Sequence, residues 1–309
     1  MDEEHEFTPG MLPDSVQRRS ERTDNSNWFP SNYFINKDKL AIFYRSWLPT
    51  PVAQPAIKGI VVLSHGLGEH SGRYEKLGLM FAAKGYAVYA LDHQGHGCSE
   101  GTRTHVKHFI DFIHDVHQLA ELAKSKHPTV KKIFLIGHSM GSLISIHAVN
   151  EAPRLFDGVV LSAPPLSLDL PPGFLSLAPV ISAYLPKMQA PPLDIATLCH
   201  DPAVFDRYVS DPLNGMGPIR FRLLAELAKA SCEVPEFQKD FPIPYLLMHG
   251  TADGMCSHAG SKSFYEASTI KDKTFISYPE CFHELFNEPG HESKSILEAL
   301  NWIEDRVDK

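Results

Sequence analysis

The chain has 309 residues, 43% of them apolar, with 29 basic against 37 acidic side chains and a net charge of −8. That length suits one large α/β domain with an insertion, or two ordinary domains, and the apolar share is enough for a full core. An acidic balance without any basic block excludes nucleic acid as an expected partner.

Residues 1–27 are polar and mixed in charge, and are expected to form a flexible tail that folding does not need. The chain opens MDEEHE, acidic where a secretory leader would be basic, and it contains no Asn-x-Ser/Thr site. Its five scattered cysteines, Cys98, Cys199, Cys232, Cys256 and Cys281, suit neither a disulfide framework nor a structural zinc. The expected compartment is therefore the cytoplasm. From Trp28 the composition changes. Residues 33–35, a polar turn at 36–39 and residues 40–47 predict a β-hairpin. Short continuous apolar runs predict strands at 59–64, 86–91, 132–136, 158–162, 245–249 and 274–278. Helical patterns fall at 74–84, 105–126, 142–151, 259–268 and 293–307. Within 105–126, Phe109, Phe112, Ile113, Val116, Leu119, Ala120 and Ala123 recur at intervals of three and four, which predicts one buried stripe. Alternating strand and helix predicts an α/β fold with a mostly parallel central sheet flanked by helices.

Residues 164–235 break the alternation and are too long for a plain crossover. Their first part, 164–193, holds eight prolines and only two charged residues, Asp169 and Lys187, so it cannot form a membrane-spanning helix. We expect a core of 28–163 and 236–309 with 164–235 inserted as a cap over the active face. The cap's apolar residues, Phe174 and Leu175 among them, would meet lipid or a membrane surface.

The most informative stretch is 131–148, KKIFLIGHSMGSLISIHA. An apolar run passes directly into Gly137-His138-Ser139-Met140-Gly141, and an amphipathic helix is expected from Ser142. A serine between two glycines on a strand–turn–helix junction has the pattern of a strained nucleophile elbow. Side chains at Gly137 or Gly141 would collide with the neighbouring strand and helix. Ser139 is thus the expected nucleophile.

A serine hydroxyl needs a base, and the base an orienting carboxylate. Asp253 sits four residues after the strand at 245–249, and His283 lies in the loop after the strand at 274–278, where a doubly wound sheet presents its ligand-binding loops. His258 and His291 are rival bases, but each lies within or near a helix and neither closes a strand. The oxyanion of the tetrahedral intermediate requires main-chain N–H donors. Those of Met140, after the nucleophile, and Leu67, in the His65–His70 loop, are the candidates. The cluster Asp92-His93-Gln94-Gly95-His96 raises the alternative of a metal, but nothing like H-E-x-x-H is present, and no metal or cofactor is expected.

The stretches SHGLGEHSGRY (64–74), DHQGHGCSEG (92–101), GHSMG (137–141), YVSDPL (208–213) and HGTADGMC (249–256), with the loop carrying His283, resemble the monoacylglycerol lipases of the α/β-hydrolase superfamily. The resemblance runs from about Trp47 to the C-terminus. It implies that Glu69, Arg73, His138 and Tyr208 surround the glycerol end of the pocket, and that Cys256 matches a cysteine whose modification disturbs the site, a buried and inert thiol being the alternative. Read from the residues alone, Arg73 could instead pair with a core carboxylate, and Glu69 could cap the following helix. One departure stands out: Ser142 replaces the glycine that follows GHSMG in the better-known mammalian pattern, and little consequence is expected. The implied activity is hydrolysis of monoacylglycerol through an acyl-enzyme, by a cytoplasmic protein in transient peripheral contact with membranes. A lysophospholipase, a general carboxylesterase and a catalytically silent binding protein of the same fold are the alternatives.

Overall fold

The computed structural model describes residues 32–50, 57–167, 197–215 and 219–308, with isolated positions between 177 and 189. The expected tail at 1–27, with Phe174 and Leu175, lies outside the described residues. Eight strands form one sheet in the order β1-β2-β4-β3-β5-β6-β7-β8. They are β1 (Tyr33–Ile35), β2 (Ala41–Trp47), β3 (Gly59–Ser64), β4 (Tyr86–Leu91), β5 (Ile133–His138), β6 (Gly158–Ser162), β7 (Tyr245–Gly250) and β8 (Lys273–Tyr278). The first two strands form the expected hairpin, and β2 pairs antiparallel with β4; β4, β3, β5, β6, β7 and β8 are parallel.

The period of two in the apolar strands divides the core. Ile60, Val62, Leu135, Val159 and Leu247 face one side and pack with α2 (Phe109–Lys126), α3 (Met140–Glu151) and α5 (Phe221–Phe237). Val61, Leu63, Ile136, Val160 and Met248 face the other and pack with α1 (Glu75–Ala83) and α7 (Glu292–Val307). Both faces being covered is why these strands read as unbroken apolar runs. The remaining helices are α4 (Pro202–Ser210) and α6 (His258–Ala267). From β3 the chain steps to β4 on one side, then returns to β5 on the other. The loops after β3 and β5 therefore splay apart at a topological switch point, where α/β sheets bind ligands.

Three local expectations are corrected. Helix α2 begins at Phe109 rather than 105, because His108 is extended and Asp111 closes a capping box on it, accepting the His108 N–H at 3.0 Å. Helix α3 begins at Met140, immediately after the elbow, and is not amphipathic. Residues 140–146 are all buried, because α3 lies between the sheet and α2 and α5. Helix α5 continues through Pro235 to Phe237, so the expected boundary at 235 falls within a helix. Its Leu223, Leu227, Ala230 and Val234 belong to the core.

Helix α2 also buries Asp115, whose carboxylate accepts from Asn36 Nδ2 (3.0 Å) in the hairpin turn and from Gln94 Nε2 (3.2 Å) after β4. Burial raises its pKa to about 7, outweighing those two hydrogen bonds. The folded protein then binds a proton here that the unfolded chain has released, and stability attributable to Asp115 falls as pH rises from about 4 to 7. Asp115→Asn should remove that slope, up to about 1.4 kcal/mol per pH unit. Denaturant unfolding of both proteins across this range measures it, and parallel stability profiles would contradict the assignment.

Candidate active site

Ser139 occupies the junction of β5 and α3 at φ 52° and ψ −120°, a region that costs a non-glycine residue about 1–3 kcal/mol. Its N–H donates to Ser162 O at 2.8 Å, and its carbonyl accepts from Ser142 N at 2.9 Å. The room is made by glycines. A Cβ on Gly141 would lie 2.0 Å from Ser64 O in β3, and one on Gly137 would lie 2.6 Å from Ser142 Cα. Ser142, the departure from the resembled pattern, is fully buried and donates its hydroxyl to Ser162 O at 2.9 Å, alongside Ser139 N.

Asp253 and His283 are brought together from the loops after β7 and β8: His283 Nδ1 lies 2.7 Å from Asp253 Oδ2. The other oxygen of Asp253 accepts the Met255 and Cys256 N–H groups at 2.8 and 2.9 Å. Burial alone would raise the Asp253 pKa, but hydrogen bonds from His249 and His283, the charge of His283 and the Cys256 N–H together hold it well below the usual carboxylate range. The His283 ring lies 4.8 Å, centre to centre, from the ring of His138, the residue before Ser139. Burial keeps the Cys256 thiol, in the loop of Asp253, protonated. Neither rival histidine joins the group: His258 reaches Ser277 Oγ at 2.8 Å, and His291 precedes α7.

Sequence reasoning missed two histidines of this site. His249, the fifth residue of β7, is fully buried and sets Nε2 3.0 Å from Asp253 Oδ2, with Nδ1 2.7 Å from Ser261 Oγ. Its place inside an apolar strand was the available signal. His65 acts on the candidate oxyanion loop. Its Nε2 accepts the His93 N–H at 2.9 Å, so the proton is on Nδ1, which donates to Gly66 O at 2.7 Å. Burial lowers its pKa and favours that neutral ring. With the Gly66 carbonyl held toward His65, the Leu67 N–H of the same trans peptide points away from it. Among the described residues, neither the Leu67 nor the Met140 N–H has a hydrogen-bond partner. A Cβ on Gly66 would lie 3.3 Å from Ser139 Cβ, which sets this loop against the elbow.

Glu69, Arg73, His138 and Tyr208 lie close together, largely engaged with one another and with their neighbours. Glu69 Oε1 accepts Gly66 N and the Tyr74 hydroxyl, both at 2.5 Å, and Oε2 accepts from Arg73 at 2.6 Å. Burial would raise the Glu69 pKa, but Arg73 and its other partners bring it down to about 2. Arg73 also pairs with Glu284 and lies 4.9 Å from the Tyr208 ring centre. Tyr208 donates to Gly68 O at 3.2 Å. His138 is buried, which lowers its pKa to about 3.

Among the described residues no three His, Cys, Asp or Glu side chains converge to hold a metal. His93 and His96 are instead buried beside Phe112.

A parallel sheet with a serine elbow after β5 and a buried Asp–His pair after β7 and β8 defines an α/β-hydrolase. The profile of the family described as serine aminopeptidase, S33, matches residues 55–290, and the chain belongs to that family, among its lipase-type hydrolases. It is 34% identical over 280 residues to the monoglyceride lipase of Homo sapiens, covering 89% of this chain and 90% of the relative. It is also 34% identical to the monoacylglycerol lipase of Mycolicibacterium smegmatis, over 87% of this chain and 95% of that one. The crystal structure of Paleococcus ferrophilus monoacylglycerol lipase superposes with a TM-score of 0.77 at 30% identity, covering 86% of this chain and 99% of that one.

Gly141→Ala should be poorly tolerated, because its Cβ would meet main-chain carbonyls of β3 that cannot rotate away. We expect a loss of about 3 kcal/mol or more, read as a drop in the thermal midpoint. An unchanged midpoint would contradict the tight approach of α3 to β3.

Proposed function

We propose that the protein hydrolyses monoacylglycerols to fatty acid and glycerol, with Ser139 as nucleophile, His283 as general base and acid, and Asp253 as its orienting carboxylate. The observation that carries this reading is the 2.7 Å His283–Asp253 pair set beside a strained serine elbow. The Ser139 hydroxyl gives up its proton to His283 Nε2 and attacks the ester carbonyl. Catalytic hydrogen bonds of this kind commonly tighten only with substrate bound. The Leu67 and Met140 N–H groups receive the oxyanion, the latter from the positive end of α3. As the intermediate collapses, the ester C–O bond breaks and His283 protonates the departing glycerol. Water then gives its proton to His283, attacks the acyl-Ser139 carbonyl, and fatty acid leaves as Ser139 recovers its proton.

Glu69, Arg73, His138 and Tyr208 form the polar wall around the glycerol group, and the part of the insertion that precedes α5, residues 164–220, forms the cap over the acyl chain. The cap reading is supported by Tyr208 and Gly215 N, which both donate to Gly68 O, and by His70 facing Asp211 at 2.9 Å. Its Leu177, Val180, Tyr184 and Leu185 are exposed, which suits transient contact with a lipid surface by a cytoplasmic protein. No described helix is long and apolar enough to cross a membrane.

Ser139→Ala should lower ester turnover by a factor on the order of a million without loss of fold, and a fluorophosphonate probe should label Ser139 alone. Substantial residual turnover, or a label elsewhere, would remove Ser139 from the mechanism. A turnover panel comparing monoacylglycerols with lysophosphatidylcholine separates this reading from a lysophospholipase. Leu177→Asp combined with Leu185→Asp should reduce activity on vesicle-borne substrate more than on a soluble ester. Equal losses on both would argue against a membrane-facing cap.

A further inference from the structure

Glu284 directly follows His283, yet it has no part in the chemistry above. Its side chain is 3% exposed and meets the Arg73 guanidinium as a fork, Oε1 to Nη1 at 2.5 Å and Oε2 to Nη2 at 2.7 Å. Oε2 also accepts Asn287 Nδ2 at 2.9 Å, and the Glu284 main-chain N–H donates to Leu198 O at 2.9 Å. Arg73 Nη1 reaches Glu69 Oε2 at 2.6 Å, and Glu69 Oε1 accepts the Gly66 N–H at 2.5 Å. Gly66 immediately precedes Leu67. A continuous run of short, charge-assisted bonds therefore joins the residue after the base to the residue before the oxyanion donor. Arg73 and Glu284 are 211 residues apart in the chain.

Stability is a poor reason for such a bridge. Two carboxylates and one guanidinium lose their hydration, and buried ion pairs seldom repay that cost over apolar residues of the same volume. What apolar side chains lack is direction. The planar fork of arginine fixes distance and angle between two carboxylates in a way that neither packing nor a lysine can. We propose that the Glu69–Arg73–Glu284 bridge holds the Leu67 amide and the His283 imidazole in register across the Ser139 hydroxyl, and that Glu284 is a positioning residue for catalysis. The inference rests on the assignment of Ser139, His283 and Leu67 given above. Acyl transfer is sensitive to this register, since a displacement of about 1 Å can cost about a hundredfold in rate.

The test is steady-state kinetics on a short soluble ester, p-nitrophenyl butyrate, with active sites counted by fluorophosphonate titration and folding followed by thermal unfolding. Glu284→Gln leaves Glu69 and Arg73 as a balanced pair, and so is the variant best suited to fold. It should lower kcat by about ten- to a hundredfold while KM stays within about twofold. Arg73→Lys, which keeps the charge without the fork, should lose a comparable amount. Combining Glu284→Gln with Glu69→Gln should cost no more than the worse single change, because both cut the same bridge. Should the glutamine variant unfold, Glu284→Asp, which keeps the charge but shortens the reach, must show the same loss confined to kcat. Wild-type kcat in the folded variants, or losses that multiply in the double variant, would overturn the proposal. If Ser139→Ala itself retained turnover, the proposed function would fail first. With Ser139 essential and the bridge variants silent, only this inference falls.

Discussion

The backbone at Ser139 turns through a positive φ that its β-carbon resists, and the surrounding structure is arranged to hold that turn. Gly137 and Gly141 let α3 press against β3 and β5 at distances no side chain could share. Ser162 O, at the end of the neighbouring β6, accepts both Ser139 N and the Ser142 hydroxyl. The cost of one strained residue, about 1–3 kcal/mol, is met by main-chain bonds on both sides of it. The turn places a hydroxyl at the start of a helix, against the loop that leaves β3, at the point where the order of the strands reverses.

Around this turn, burial acts oppositely on the two kinds of titratable group. His65, His93, His96 and His138 are all driven toward the neutral form by loss of water; His65 spends both ring nitrogens on main-chain groups, and His93 sets Nε2 against the Ser64 hydroxyl. Asp253 and Glu69 are buried as well, yet each is kept ionised by several donors. The region is therefore a fixed arrangement of dipoles with a few committed charges, in a setting of low dielectric. Such an arrangement favours charge that develops briefly at one place over charge that resides there.

The segment between β6 and β7 has two characters. Helix α5 contributes Leu223, Leu227 and Val234 to the core, while α4 and the turn after it lean on Gly68 and His70. Upstream of α4, Thr197 O and Leu198 O accept the His283 and Glu284 N–H groups, and His200 stacks on Phe282 at 3.5 Å. The same insertion thus touches both the His65–His70 loop and the loop that carries His283.

The sequence alone determined the alternation of strand and helix, the hairpin, the elbow serine and the strand-end positions of Asp253 and His283. Those features are local, written in apolar period, glycine placement and distance from a strand's last residue. The resemblance named Glu69, Arg73, His138 and Tyr208 but not what they touch. Tertiary structure decided the partners: that His249 stands behind Asp253, that His65 orients the Gly66 peptide, that α3 is buried on every side and that Glu284 turns to Arg73. None of these leaves a local pattern, because a hydrogen bond across 211 residues has no period and no neighbour in the chain to announce it. Only the parallel alignment of the strands, which gathers the loops after β3, β5, β7 and β8 at one edge of the sheet, brings such side chains within reach.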